Sequence, residues 1–208
     1  MLWDQLMLIH IPNFLTLGRI AVIPPIIALI YAFDDASRWF ACVLFTLAAL
    51  TDVLDGYLAR MMASETRFGR VLDPIADKLL VGAVLLILVE RDAIGGIDLV
   101  PAIIILCREI LVSGLREHLA ELNVPLPVSR LAKWKTALQM IAIGFLIVGS
   151  SGPAAVPVTL IGELGLWIAA ALTIVTGWDY LVAAQRHFDV AATPKPQDVP
   201  IERAARQR

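Results

Sequence analysis

Charge is scarce in this chain. Only 17% of its 208 residues are Asp, Glu, Lys or Arg, while 59% are hydrophobic; ordinary soluble domains are roughly a quarter charged. The apolar residues come in long runs rather than amphipathic stripes, which excludes a soluble globular domain and leaves an integral membrane protein. The net charge of -2 conceals a strong asymmetry along the chain, and no nucleic-acid partner is expected. Cysteine is scarcer still: Cys42 and Cys107 both lie inside apolar runs and read as small buried hydrophobes rather than a disulfide or metal site. The three histidines, His10, His118 and His187, match no metal-binding spacing and read as surface or interfacial residues. A cleavable signal peptide is not expected, because residues 1–11 lack a basic n-region and no small-residue cleavage site follows. That stretch reads instead as a short interfacial helix with Trp3 at headgroup level.

What is present is enough apolar sequence for several membrane crossings of about 20 residues each. Six helices are expected, at about 12–33, 38–63, 71–91, 98–120, 133–150 and 157–186. The expected fold is therefore all-α, a polytopic six-helix domain over 12–189, followed by a Pro- and charge-rich disordered tail over 190–208. Pro24-Pro25 should kink the first helix and Pro101 suits a first turn. Trp39, Trp134, Trp167 and Trp178 suit interfacial belts. The loops at 34–38 and 91–98 hold one arginine each, Arg38 and Arg91, and that near 151–157 holds none. The opposite side holds Arg60, Arg67, Arg70 and Lys78, then Arg116, Arg130, Lys133 and Lys135, then the basic C-terminus. By the positive-inside rule both termini face the cytoplasm, in the cell (inner) membrane.

One stretch conflicts with its surroundings. Residues 51–80, TDVLDGYLARMMASETRFGRVLDPIADKLL, carry Asp52, Asp55, Asp73 and Asp77 between apolar runs, where a carboxylate costs several kcal/mol or more. Asp52 and Asp55 are three apart and Asp73 and Asp77 four apart, so each pair shares a helix face. Two antiparallel helices joined by a short loop could point all four acids at one another. Such carboxylates repel, and a hard cation such as Mg²⁺ or Mn²⁺ with oxygen ligands resolves the repulsion. Simpler roles compete: Asp73-Pro74 could start the third helix as N-cap and N1. Asp77 could pair with Lys78 or Arg70, and Asp52 with Arg60. No simple role covers all four acids together with two glycines, an alanine and an arginine at fixed spacing.

The pattern D-x-x-D-G-x-x-A-R-x₈-G-x₃-D-x₃-D resembles the signature of the CDP-alcohol phosphotransferases, matched without a gap by Asp52, Asp55, Gly56, Ala59, Arg60, Gly69, Asp73 and Asp77. IPNFLTLGRI, CREILVSGLREHLAEL and LAKWKTALQM extend the similarity over roughly residues 10–186, toward the branch whose acceptor is sn-glycerol 3-phosphate. The resemblance implies a homodimer of six-helix subunits with a polar cavity open to the cytoplasm. It implies two metal ions on Asp52, Asp55, Asp73 and Asp77, with Asp77 also the general base. Gly56, Ala59, Arg60 and Gly69 would line the nucleotide site, with Thr16 and Arg19 of N-x-x-T-x-x-R adding polar contacts. The implied reaction moves the phosphatidyl group of CDP-diacylglycerol to sn-glycerol 3-phosphate and releases CMP.

The motif does not choose the acceptor; inositol phosphate, serine or phosphatidylglycerol would suit the same acids. Arg108 inside the fourth helix, Arg116 two turns later, and Lys133 and Lys135 at the start of the fifth form a second basic group suited to an acceptor that carries a phosphate. Against that, Arg108 could simply pair with Glu109 or Glu117, and the lysines could snorkel. A divalent-cation transporter is a remote alternative; it would place acids at mid-membrane on several helices.

Overall fold

The computed structural model describes residues 2–32, 34–62, 67–121 and 130–192. Six α-helices follow in order: α1 Leu2–Tyr31, α2 Asp35–Met62, α3 Arg67–Glu90, α4 Leu99–Glu121, α5 Arg130–Val148 and α6 Val158–Ala192. No strand occurs among the described residues. The number of helices is the one expected, but three boundaries differ. Helix α1 begins at Leu2 and runs without interruption through Pro12, Pro24 and Pro25. Helix α3 begins at Arg67, ahead of the expected start near residue 71, so Asp73 does not cap it and Pro74 is an internal proline. Helix α6 continues to Ala192, three residues into the expected tail; the remainder of that tail lies outside the described residues.

Each helix start and packed face has a local cause. Asp34 caps α2: its carboxylate accepts the Ser37 N–H at 3.0 Å and the Ser37 hydroxyl at 2.6 Å. Those bonds hold the Asp34 carboxyl below its usual range. Buried apolar residues recur at three- and four-residue intervals, as in Ile23, Ile26 and Ile30 of α1 and Leu80, Val84 and Leu88 of α3. The helices close into a ring in the spatial order α1, α2, α5, α6, α4, α3, with α1 seated between α2 and α3. Among the described residues α2 and α3 each pack chiefly on α1; the expected meeting of their aspartate ends falls on side chains outside the described residues.

Small residues set the closest approach, between α5 and α6. A Cβ on Gly162 would fall 2.7 Å from Leu146 Cγ, and one on Gly165 would fall 2.9 Å from Ala142 Cβ. Backbones that near one another gain dispersion contact, the main attraction available between helices in lipid. Outward faces are apolar instead: Phe40, Leu86 and Ile110 are 63%, 65% and 60% exposed, beside Leu47, Ile103, Leu164 and Ile168. Apolar area on that scale marks contact with membrane or partner. The stretches Leu131–Ser151 and Val158–Val182 are long and apolar enough to cross a bilayer, and Thr16–Tyr31 is a shorter apolar run.

The ring end away from the aspartates is cross-tied. Trp39 Nε1 donates to the Ser151 carbonyl at 3.1 Å, and the Ser151 hydroxyl donates to Asp35 at 2.5 Å. Trp167 Nε1 donates to Asp98 at 2.7 Å, and the Arg91 guanidinium sits 5.1 Å from the centroid of the Tyr31 ring. Trp39 and Trp167, expected as interfacial anchors, are thus also ties between connections.

Gly162→Leu should wedge α5 from α6 and lower stability by about 1–3 kcal/mol, the usual range for overpacking. Gly114→Ala, where a Cβ meets nothing within 4 Å, is the control and should be near neutral. The check is the thermal midpoint of each purified protein in the same detergent.

Candidate active site at the aspartate end

Helix α1 supplies partners for the acids of α3. Thr16, wholly buried, donates its hydroxyl to Asp73 Oδ1. Arg19, 2% exposed, places Nη1 at 2.6 Å from Asp77 Oδ1, while the Asp77 side chain stays 42% exposed. The spacings correspond, because Thr16 and Arg19 are one turn apart on α1 and Asp73 and Asp77 one turn apart on α3. Asp77 thus pairs with Arg19, while the expected alternative partner Arg70 has its side chain outside the described residues. Lys78 instead donates to the Pro74 carbonyl at 2.6 Å, on its own helix. Gly69 is buried, one turn before Asp73.

Carboxylate and hydroxyl oxygens at Thr16, Asp73 and Asp77 are the donor chemistry that a hard divalent cation prefers. Among the described residues no three acidic, histidine or cysteine side chains converge. The other motif residues, Asp52, Asp55, Gly56, Ala59 and Arg60, occupy α2, and their side chains lie outside the described residues.

A second polar cluster joins α4, α5 and α6. Lys135 of α5 is 2% exposed and bonds Glu109 of α4. Burial on that scale rules out snorkelling for this lysine, and the carboxylate answers its charge. Arg108 places Nη1 3.3 Å from the same carboxylate and Nη2 3.1 Å from the Thr176 hydroxyl of α6. The anticipated pairing of Arg108 with Glu109 is thus real, and Glu109 serves two cations at once. Arg116 donates from Nη2 to the Tyr180 hydroxyl at 3.1 Å. Lys133 is exposed, two residues and about 200° around α5 from Lys135, so it lies off this cluster. Lys78 links the two groups of charges, interacting electrostatically with Asp77 on its own helix and with Glu109, Glu117 and Arg116 on α4.

Sequence reasoning found the acids and the cations but missed what holds them. The one-turn spacing of Thr16 and Arg19, expected beside the nucleotide, also matches that of the acids they bond. Glu109 was taken only as a neutralising partner, and Thr176 and Tyr180 were not singled out. A tyrosine near the end of an apolar helix has no periodic signature that separates it from an interfacial residue.

Glu109→Gln should leave Lys135 and Arg108 without their common counter-charge. The loss should fall at the low end of the about 3–5 kcal/mol typical of broken buried pairs, since the Glu109 side chain keeps 23% exposure. Thermal midpoints of Glu109→Gln, Lys135→Met and the double variant check this, and the double variant should lose less than the two single losses combined.

Comparison with known proteins agrees with the motif. A family model described as CDP-alcohol phosphatidyltransferase matches residues 9–175. A Rickettsia typhi protein named CDP-diacylglycerol–glycerol-3-phosphate 3-phosphatidyltransferase is 50% identical, over 86% of this chain and 99% of its own length. Proteins of the same name from Cereibacter sphaeroides and Bacillus subtilis are 39% and 38% identical, each over 82% of this chain and 93% of their own. With most of its helical region matched, including Thr16, Arg19, Asp73 and Asp77, the chain belongs to the CDP-alcohol phosphatidyltransferase family.

Proposed function

We propose that this chain transfers the phosphatidyl group of CDP-diacylglycerol to sn-glycerol 3-phosphate, giving phosphatidylglycerophosphate and CMP. The observation that carries the reading is the gap-free eight-residue motif whose last two acids, Asp73 and Asp77, are held by α1. The names of relatives at 38–50% identity support the acceptor.

The residues divide the work by chemistry. Asp77 is the general base: as the acceptor hydroxyl oxygen bonds the phosphatidyl phosphorus, its proton passes to the Asp77 carboxylate. The bond from phosphorus to the CMP oxygen breaks, and CMP leaves with the electron pair. A base so placed contributes typically 10²–10⁴-fold. Arg19 fixes the direction of that carboxylate and Thr16 that of Asp73, since phosphoryl transfer rests mainly on positioning and charge. Asp52, Asp55, Asp73 and Asp77 would hold Mg²⁺ or Mn²⁺, which when bound neutralises charge on the phosphate oxygens. Gly56, Ala59 and Gly69 leave room for the cytidine and Arg60 faces the pyrophosphate. Arg108, Arg116 and Lys135 receive the acceptor phosphate, without Lys133, which lies off their cluster.

The proposed setting is a six-span protein of the inner membrane, with both termini and a polar cavity on the cytoplasmic side, working as a homodimer. At about 1.5 Å per residue, every helix but the 19-residue α5 exceeds the about 30 Å of hydrocarbon, and the 30 residues of α1 and 35 of α6 reach well beyond it. The acids then lie near headgroup depth while acyl chains stay in the bilayer.

Purified protein with Mg²⁺, CDP-diacylglycerol and sn-glycerol 3-phosphate should release CMP, and EDTA should abolish release. Release only with inositol phosphate, serine or phosphatidylglycerol would transfer the protein to a sister reaction. Asp77→Asn should retain CDP-diacylglycerol binding and lose about 10²–10⁴-fold in turnover, measured as CMP formed per enzyme.

A further inference from the structure

Tyr180 sits where two arginines of another helix converge. It is 6% exposed on α6. The guanidinium carbons of Arg108 and Arg116 lie 5.7 and 5.6 Å from its ring centroid, and its hydroxyl accepts the Arg116 Nη2–H at 3.1 Å. Arg108 and Arg116 are eight residues apart on α4, so their side chains must lean toward each other along the helix to share one ring. Like charges resist that approach. An aromatic face with its negative quadrupole offsets some of the repulsion, and more so out of water.

The rest of that α6 face is shaped around the same arginine. Thr176, one turn before Tyr180, accepts from Arg108 Nη2. Gly177 leaves room for the Arg108 stem, since a Cβ there would fall 3.2 Å from Arg108 Cγ. Arg108 Nε is buried and has no protein partner. Two guanidinium groups held side by side suit a tetrahedral oxyanion that can take hydrogen bonds from both. We propose that Tyr180 is a positioning residue, which sets the separation and orientation of Arg108 and Arg116 so that together they grip the phosphate of the acceptor. This rests on the reading that the α4–α6 cluster is the acceptor's phosphate site; Tyr180 itself need not touch the substrate.

Two substitutions divide the interaction. Tyr180→Phe keeps the ring under both arginines and removes only the hydroxyl, while Tyr180→Leu removes the ring as well. With sn-glycerol 3-phosphate, Tyr180→Phe should raise the acceptor KM about fivefold, equivalent to one hydrogen bond of about 1 kcal/mol. Tyr180→Leu should raise it further, and in both the KM for CDP-diacylglycerol should stay within twofold. Inorganic phosphate, titrated without any substrate, should raise the thermal midpoint of the unsubstituted protein through binding to the folded state. That shift should shrink in Tyr180→Phe although the phosphate-free midpoint is unchanged.

If acceptor and CDP-diacylglycerol KM rise together, if only kcat or the phosphate-free midpoint falls, or if phosphate stabilises all three proteins equally, Tyr180 is a packing residue and the proposal is overturned. Absence of any phosphate effect on the unsubstituted protein overturns it as well. Activity with a different acceptor would overturn the assignment of sn-glycerol 3-phosphate instead, and the phosphate titration would still decide the role of Tyr180.

Discussion

Arg19 and Lys135 are long cations inside apolar helices, each almost sealed from solvent, and each faces a carboxylate on a different helix. A charge in that position is tolerated only when an opposite charge and hydrogen bonds meet it within the protein. The two pairs therefore constrain how the helices can be arranged. Arg19 requires α1 beside α3, and Lys135 requires α5 within reach of α4. The ring order α1, α2, α5, α6, α4, α3 satisfies both while its outer faces stay apolar.

The same constraint turns structure into chemistry. An acid that must bond a particular buried arginine cannot wander, so Asp77 has a fixed direction before any substrate arrives, and Thr16 does the same for Asp73. Order of this kind reduces the rearrangement left to the reacting complex. On the other side, Glu109 gathers Lys135 and Arg108, and Lys78 senses both groups of charges. The acidic half, on α1 and α3, and the basic half, on α4 to α6, are thereby parts of one electrostatic assembly.

How much of this was legible in the sequence follows from where each signal resides. Run length and Lys/Arg distribution lie along the chain, so six helices and the special end of the bundle could be read directly. The motif was equally plain, because its spacing is local. Helix neighbours are not local: α2 and α3 adjoin in sequence, and nothing in their periodicity announces that, among the described residues, each packs chiefly on α1. The early start of α3 was hidden by Asp73-Pro74, which mimics a helix beginning. Pro74 instead lies inside α3, where it lacks the N–H that would bond the carbonyl four residues earlier. Tyr180 was concealed for a related reason, since its importance lies in two arginines more than sixty residues earlier in the chain.

The ties among Trp39, Ser151, Asp35, Trp167 and Asp98 fasten one rim of the ring. Asp73 and Asp77 stand toward the opposite rim, where Thr16 and Arg19 lace α1 to α3. Laced at both rims, a rod cannot tilt without stretching a bond at one end or the other, so the two acids of α3 are carried on a stiff frame.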